Sequence, residues 1–205
     1  MREKTMSYAI IGFGKIGQAL ARAFARKNMN VTVASRRPPE ELAARAQEIG
    51  ATVVARSLKD ALKADTIILA VPFGELGEVA KALPRWEGKT IIDTTNAFGV
   101  SPEELDGLPS SAFAAKAFPG ARFVKGFNHL IAATLATDPV AEGGHRVVFL
   151  SSNEEEAVAP VEELARQLGF APVKLGKLNE GGWLVHARGR TWGQLIFQDV
   201  FKKQQ

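Results

Sequence analysis

The sequence contains no cysteine. Without thiols the chain cannot form disulfides, bind zinc through thiolates or use a cysteine nucleophile. No apolar run approaches the roughly 18–20 residues that a membrane span requires, and residues 1–7 lack the apolar stretch of a secretory signal. We therefore expect a cytoplasmic protein without membrane contact, in which any redox chemistry depends on a cofactor.

Long basic runs are absent as well. The formal net charge is +4, yet no run of about five or more basic residues occurs. A dispersed excess of this kind argues against nucleic acid as a partner, and some of the arginines are available to meet cofactor phosphates instead. Hydrophobic residues make up 46% of the 205 residues, which is enough for one sizeable core and too little for two domains of ordinary size. We expect one domain over residues 1–205.

Short apolar runs alternate with stretches of helical periodicity. The predicted strands lie at residues 8–11, 31–34, 51–54, 66–71, 90–93, 122–125, 146–150 and 172–175. The predicted helices lie at 16–24, 39–50, 57–64, 74–83, 130–137 and 153–168, with a last one between 179 and 202. This alternation predicts a doubly wound, mostly parallel α/β sheet of about eight strands with helices on both faces. We expect residues 1–7 to be flexible, and residues 179–205 to form a helical segment that serves a dimer or an acceptor site.

A glycine-rich segment directly follows the first predicted strand and opens the first predicted helix. In the G-x-G-x-x-G pattern of the Rossmann fold, the first glycine permits a tight turn, the second lets the backbone approach a pyrophosphate, and the third allows the helix to pack closely on the strand. The amino terminus of the helix completes the anion site. The segment predicts a dinucleotide site, against the alternative of a glycine-rich turn without a ligand. Its residues are Gly12, Phe13, Gly14, Lys15, Ile16 and Gly17.

The second predicted strand ends in Ser35, Arg36 and Arg37. NAD-binding proteins of this fold usually carry an acidic residue here, which binds the ribose 2′-hydroxyl. This chain offers a hydroxyl and two guanidinium groups instead, and planar guanidinium groups suit phosphate oxygens. The segment therefore predicts NADP(H) rather than NAD. In the alternative interpretation the arginines only solvate the end of a strand.

Other candidate residues follow the later strands. Val71, Pro72 and Phe73 end the fourth predicted strand, where Phe73 is expected to form a wall of the nicotinamide pocket or, alternatively, to pack in the core. Asn96 follows the fifth strand and Asn128 the sixth, so both are expected to face the same crevice. Amide side chains in that position can hydrogen-bond ribose hydroxyls or the carboxamide.

His129 is the candidate for a catalytic residue. It is the only histidine predicted to lie at a carboxyl edge, where it could donate a proton or only cap the next helix. The spacing of His145 and His186 does not indicate a metal site, and we expect no bound metal. The acidic run 154–156 is interpreted as a helix start.

At these positions the sequence resembles the NADPH-dependent oxidoreductases related to the reductase of 8-hydroxy-5-deazaflavin (coenzyme F420), and the cytosolic domain of six-transmembrane metalloreductases. The resemblance spans nearly the whole chain and is carried by residues 11–17, 35–37, 71–73, 124–128, 168–170 and 175–178. It implies that NADP(H) lies along the glycine turn, that Ser35 and Arg36 hold the 2′-phosphate, and that backbone near Val71 and Ala132 approaches the cofactor. It also implies a homodimer built with carboxyl-terminal helices. Hydride would pass directly between two flat rings, so that positioning rather than an acid–base residue lowers the barrier.

Two departures from the family pattern concern the acceptor. Residues 151–153 read Ser-Ser-Asn where the family often has Gly-Asp-Asp, and the segment that contains Trp183 and Trp192 fits no assigned pattern. The tryptophans could stack on a flavin or deazaflavin ring, or pack within a dimer.

Three functions therefore stay open. The first is hydride transfer between NADPH and a flavin-like ring or another small acceptor, such as a carbonyl or an imine. The second is a sensor that binds NADP(H) without turnover. The third is an imine or β-hydroxyacid reductase-like enzyme, for which the chain is short unless a dimer partner completes it.

Overall fold

The computed structural model describes residues 6–141 and 143–186. In its first half, strands β1 (Tyr8–Ile11), β2 (Val31–Ala34), β3 (Val53–Ala55) and β4 (Thr66–Leu69) alternate with helices α1 (Lys15–Arg26), α2 (Pro39–Ile49) and α3 (Leu58–Ala61). Helix α1 is strongly amphipathic and buries one face through Leu20 and Phe24. Helix α2 starts at Pro39, where the missing backbone N–H costs no helical hydrogen bond.

The second half continues the alternation with shorter helices. A 3-10 turn (Phe73–Glu75) and α4 (Leu76–Ala80) lead to β5 (Thr90–Asp93), and a second 3-10 turn (Glu103–Leu105) and α5 (Ser110–Ala115) lead to β6 (Arg122–Gly126). Then follow α6 (Ala132–Ala136), a small hairpin of β7 (Val140–Ala141) and β8 (Gly144–His145), β9 (Val147–Ser152), α7 (Glu155–Gln167), β10 (Ala171–Lys174) and α8 (Gly181–Leu184).

Eight of these strands form one sheet in the order β10-β9-β6-β5-β4-β1-β2-β3. Strands β1 to β6 are mutually parallel, and the chain winds in both directions from β1. The prediction of a doubly wound, mostly parallel sheet of about eight strands is confirmed.

Strands β9 and β10 run in the opposite direction, which was not expected from the sequence. They pair with each other in parallel, but β9 pairs with β6 antiparallel. A parallel neighbour requires a crossover that returns the chain to the starting edge of the sheet. The five-residue helix α6 and the hairpin do not make that return, so β9 begins at the carboxyl edge of β6. As a result, residues 151–153 lie near the amino end of β6 and not at the carboxyl edge.

Two apolar layers cover the faces of the sheet. Alternate residues of the central strands face opposite layers: Ile10 and Ile92 pack with Phe24 and α7 on one side, whereas Ile67 and Ile91 face the other. The second layer is built around Trp86 and Phe118, whose rings meet edge to face at 5.0 Å. Burial on both faces explains why these strands read as continuous apolar runs.

Several helices differ from their predicted bounds. The stretches predicted at 57–64, 74–83 and 130–137 contain helices of only four or five residues, and α5 was not predicted. Of the segment predicted to be flexible, Ser7 is tied to the loop before β4, because its backbone N–H and Oγ donate to the Asp65 carboxylate at 3.1 and 2.7 Å. The last predicted helix lies mostly outside the described residues. Within those residues, no helix is long and apolar enough to cross a membrane.

Candidate functional site

A cleft runs along the carboxyl edge of the parallel strands. Its first lobe, of about 380 Å³, lies at the ends of β1, β2 and β4. Its second lobe, of about 310 Å³, lies at the ends of β4, β5 and β6. Ala70, Val71 and Pro72 line both lobes, so the two lobes adjoin. In doubly wound sheets ligands bind where the strand order reverses, which here is the crevice between β1 and β4.

The three glycines of the segment that leads from β1 into α1 are needed for different physical reasons. Gly12 has φ +103°, and a Cβ there would collide with the Ala70 carbonyl; a Cβ on Gly17 would collide with the Gly12 carbonyl oxygen. The fold itself therefore requires these two. A Cβ on Gly14 would meet nothing within 4 Å, and Gly14 lines the first lobe. Gly14 thus leaves open backbone facing the lobe, as close approach of a ligand requires.

The amino terminus of α1 is available to an anion. The N-cap residue, Gly14, has no side chain that could cap the helix, and the first turn holds no acidic residue. The first N–H groups of a helix have no partners within the helix, and its dipole favours negative charge at this end. Of the predicted residues here, Phe13 lines the first lobe and Ile16 the second, whereas Lys15 is exposed to solvent.

Ser35, Arg36 and Arg37 all line the first lobe at the end of β2. The Ser35 hydroxyl accepts a hydrogen bond from the Arg37 backbone N–H at 3.0 Å. The Arg36 guanidinium reaches across the lobe to the Glu75 carboxylate at 3.0 Å. Glu75, which lies in the turn after β4, was not among the site residues expected from the sequence.

The second lobe collects the other predicted residues: Val71, Pro72, Phe73, Asn96, Asn128 and Ala132. Asn96 and Asn128 are tied together, because Asn128 Nδ2 donates to Asn96 Oδ1 and Asn96 Nδ2 to the Asn128 carbonyl, both at 2.9 Å. Asn128 Nδ2 also donates to the Val185 carbonyl at 2.8 Å. Asn128 Oδ1 is buried and has no partner among the described residues. None of the described residues that line this lobe is ionisable.

A buried ion pair lies beneath the second lobe and was missed by sequence reasoning. Lys125 Nζ is 3.0 Å from Asp93 Oδ2, with side-chain exposures of 1% and 0%. Lys125 Nζ also donates to the Thr95 carbonyl, and Asp93 Oδ1 accepts from the Thr95 backbone N–H at 2.9 Å and from Thr95 Oγ1 at 2.7 Å. Burial lowers the pKa of Lys125, and the neighbouring Asp93 charge opposes that shift. Because Thr95 lines the lobe, the contacts of the pair with Thr95 hold part of the lobe's lining in place.

His129 lies behind the cleft. Its Nε2 is 3.2 Å from the Val147 carbonyl, and its ring centroid is 4.7 Å from that of Phe149. Burial lowers the pKa of His129 to about 4, so the ring is neutral near pH 7. It is not among the described residues that line either lobe. This location does not favour the proton-donor role considered from the sequence.

Apolar side chains flank the second lobe where it opens to solvent. Phe98 and Ile131 line the lobe and are 53% and 61% exposed. Of the two tryptophans considered for stacking, Trp183 in α8 packs edge to face against His186 at 5.3 Å, and Trp192 lies outside the described residues.

Comparison with known proteins relates this geometry to one family. A family model described as NADP oxidoreductase, coenzyme F420-dependent, matches residues 7–97, which contain the whole first lobe. The crystal structure of a hypothetical protein, SMa0349 of Sinorhizobium meliloti, is 41% identical with a TM-score of 0.85, and the match covers 90% of this chain and 92% of that one.

Two further relatives have names that refer to reductases. A structure from Arthrobacter sp. FB24, assigned as an F420-dependent NADP reductase, is 25% identical with a TM-score of 0.70, and the match covers 85% of this chain and 86% of that one. Metalloreductase STEAP2 of Mus musculus is 31% identical over 180 residues, which are 86% of this chain and 34% of that protein. The chain thus spans about a third of the length of the metalloreductase.

Proposed function

Because this chain belongs to the coenzyme F420-dependent NADP oxidoreductase family, we propose that it binds NADP(H) along the cleft and transfers a hydride between NADPH and a flavin-like or deazaflavin-like acceptor. The observation that carries the proposal is the first lobe. There Ser35, Arg36 and Arg37 converge beside the open backbone of Gly14. A serine and two arginines provide donors for a 2′-phosphate, and the backbone provides them for a pyrophosphate.

The remaining residues would hold the cofactor as follows. Gly14 and the first turn of α1, whose initial N–H groups have no partners within the helix, would hold the pyrophosphate. Val71, Pro72 and Ala132, which line the second lobe, would hold the nicotinamide. The buried acceptor Asn128 Oδ1 is a candidate partner for the carboxamide N–H. When bound, the cofactor supplies the hydride.

The chemistry of the second lobe favours a flat, conjugated acceptor. Reduction of a carbonyl develops charge on one oxygen, which an enzyme usually relieves by proton donation. The described lining contains no ionisable group, and a conjugated ring can spread the added charge without such a donor. Phe98 and Ile131 present apolar surface at the opening, against which a flat ring can dock. The role of the protein is then to align two rings and to exclude water.

The first experiment is a turnover assay. We expect NADPH to be oxidised faster with flavins and deazaflavins than with small ketones or imines, measured by the loss of absorbance at about 340 nm. Tight NADPH binding without turnover on any acceptor would favour a sensor. Faster turnover of ketones than of flavins would contradict the assigned acceptor class.

Replacement of Arg36 by alanine tests the assignment of the first lobe. We expect Arg36→Ala to weaken NADPH binding by about 1–3 kcal/mol, because a charge-assisted contact to the 2′-phosphate is lost. NADH binding should barely change, since NADH has no such phosphate. Titration calorimetry with both cofactors measures the difference.

The matched control is Arg85→Ala. Arg85 is an exposed arginine that pairs with Glu87 at 2.6 Å and does not line the first lobe, so NADPH affinity should be retained. Equal losses for NADPH and NADH in Arg36→Ala would refute the role of Arg36. The absence of heat with either cofactor on the wild-type protein would refute the proposed function itself.

A further inference from the structure

The Arg36–Glu75 ion pair crosses the first lobe. Arg36 follows β2, whereas Glu75 ends the 3-10 turn after β4, and β1 with its glycine turn lies between these two strands in the sheet. Both residues line the lobe, and Arg36 Nη2 is 3.0 Å from Glu75 Oε1. The guanidinium proposed to meet the 2′-phosphate is therefore already engaged by an anion of the protein.

The two partners are not equivalent. The Arg36 side chain is 85% exposed, but that of Glu75 is only 29% exposed. The backbone of Glu75 is fixed, because its N–H donates to the Pro72 carbonyl at 2.9 Å and the next residue, Leu76, is buried at the start of α4. Glu75 thus holds a negative charge at one wall of the lobe, and Arg36 is the partner with freedom to move.

We propose that Glu75 competes with the 2′-phosphate of NADP(H) for the Arg36 guanidinium and thereby limits the affinity for NADP(H) without limiting that for NAD(H). This inference rests on the proposed function. A 2′-phosphate dianion carries more charge than a carboxylate and can take its place on the guanidinium fork, but the gain is reduced by the ion pair that must be broken first. NADH has no 2′-phosphate, so it gains nothing from the removal of Glu75. Glu75 is in this sense a specificity-determining residue.

Glu78 provides a matched control on the same wall. It also lines the first lobe, but its carboxylate pairs with Lys81 at 2.8 Å, and both side chains are 75% exposed. Glu78→Gln removes the same charge three residues away without touching Arg36. Any effect that comes only from the net charge of the lobe should appear in both variants.

The experiment compares Glu75→Gln, Glu78→Gln and wild-type protein by calorimetry with NADPH, NADH and adenosine 2′,5′-bisphosphate, which probes the first lobe alone. We expect Glu75→Gln to tighten binding of NADPH and of the bisphosphate by about 3–10-fold, the size of one partly exposed ion pair. NADH affinity should stay within about two-fold, which also shows that the variant is folded. Glu78→Gln should change each affinity by about two-fold or less. In an Arg36→Ala background, Glu75→Gln should no longer tighten NADPH binding.

Three results would overturn the inference and leave NADP(H) binding intact. Weaker NADPH binding by Glu75→Gln would mean that Glu75 positions Arg36 for the phosphate. Equal gains in affinity for NADPH and NADH in Glu75→Gln would indicate that the Glu75 carboxylate repels the pyrophosphate, which both cofactors contain. A gain that persists without Arg36 would show that the competition does not pass through its guanidinium. Wild-type protein that binds neither cofactor would instead contradict the proposed function.

Discussion

Replacement of Asp93 by asparagine is expected to lower the free energy of unfolding by about 3–5 kcal/mol, the usual cost of leaving one partner of a buried ion pair uncompensated. Asparagine has nearly the same shape, and its Oδ1 can still accept the hydrogen bonds that Asp93 Oδ1 accepts from Thr95. The substitution therefore keeps the contacts with Thr95 but removes both the charge and the Oδ2 acceptor of the Lys125 ammonium group. Lys125 would stay fully buried with no counterion. Urea unfolding followed by circular dichroism measures the change.

The control for this prediction is an exposed pair. Asp106 accepts from Lys116 at 2.9 Å, with side-chain exposures of 63% and 56%, so Asp106→Asn should cost less than about 1 kcal/mol. A double variant, Asp93→Asn with Lys125→Met, removes both buried charges and should be more stable than Asp93→Asn alone. A loss for Asp93→Asn as small as that for Asp106→Asn would contradict the prediction, because it would mean that Lys125 is not left with an uncompensated buried charge.

The Asp93–Lys125 pair illustrates what could and could not be predicted from the sequence. Asp93 was recognised as the end of a strand and Lys125 as part of another, but nothing in either segment says that the two strands are neighbours. Once the order β4-β5-β6 is known, the parallel register that sets Asp93 opposite Lys125 makes the pair evident. Contacts between strands about thirty residues apart depend on topology, and periodicity alone carries no such information.

The first lobe was easier to predict than the second. The turn at Gly12 and Gly17 is dictated by local backbone geometry, and Ser35 and Arg36 follow the next strand, so the sequence alone brings these residues together. Glu75 lies in the first lobe only because the turn after β4 folds back toward the end of β2, where Arg36 lies. The reversal of β9 was missed because the residues of an antiparallel buried strand are as apolar as those of a parallel one.

The second large effect is a pH dependence of the free energy of unfolding, which arises from His129. Its pKa is lowered from 6.5 to about 4 by burial, which opposes the charged ring, while the hydrogen bond with the Val147 carbonyl acts in the other direction. In the unfolded chain the ring titrates near 6.5. Between these values the unfolded state binds a proton that the folded state does not. The stabilisation is therefore fully present above about pH 6.5 and is lost as the pH falls toward 4, which amounts to about 3 kcal/mol in total.

The contribution of His129 to this pH dependence can be separated from that of the other titrating groups with the variant His129→Gln. Glutamine does not titrate, and its side-chain amide can donate to the Val147 carbonyl that His129 Nε2 contacts at 3.2 Å. We expect the free energy of unfolding of the wild-type protein to approach that of the variant, or to fall below it, as the pH is lowered from about 7.5 to about 4.5. The difference between the two curves cancels the contributions of carboxylates common to both. Parallel curves over this range would contradict the prediction, because they would mean that the folded protein protonates His129 as readily as the unfolded chain does.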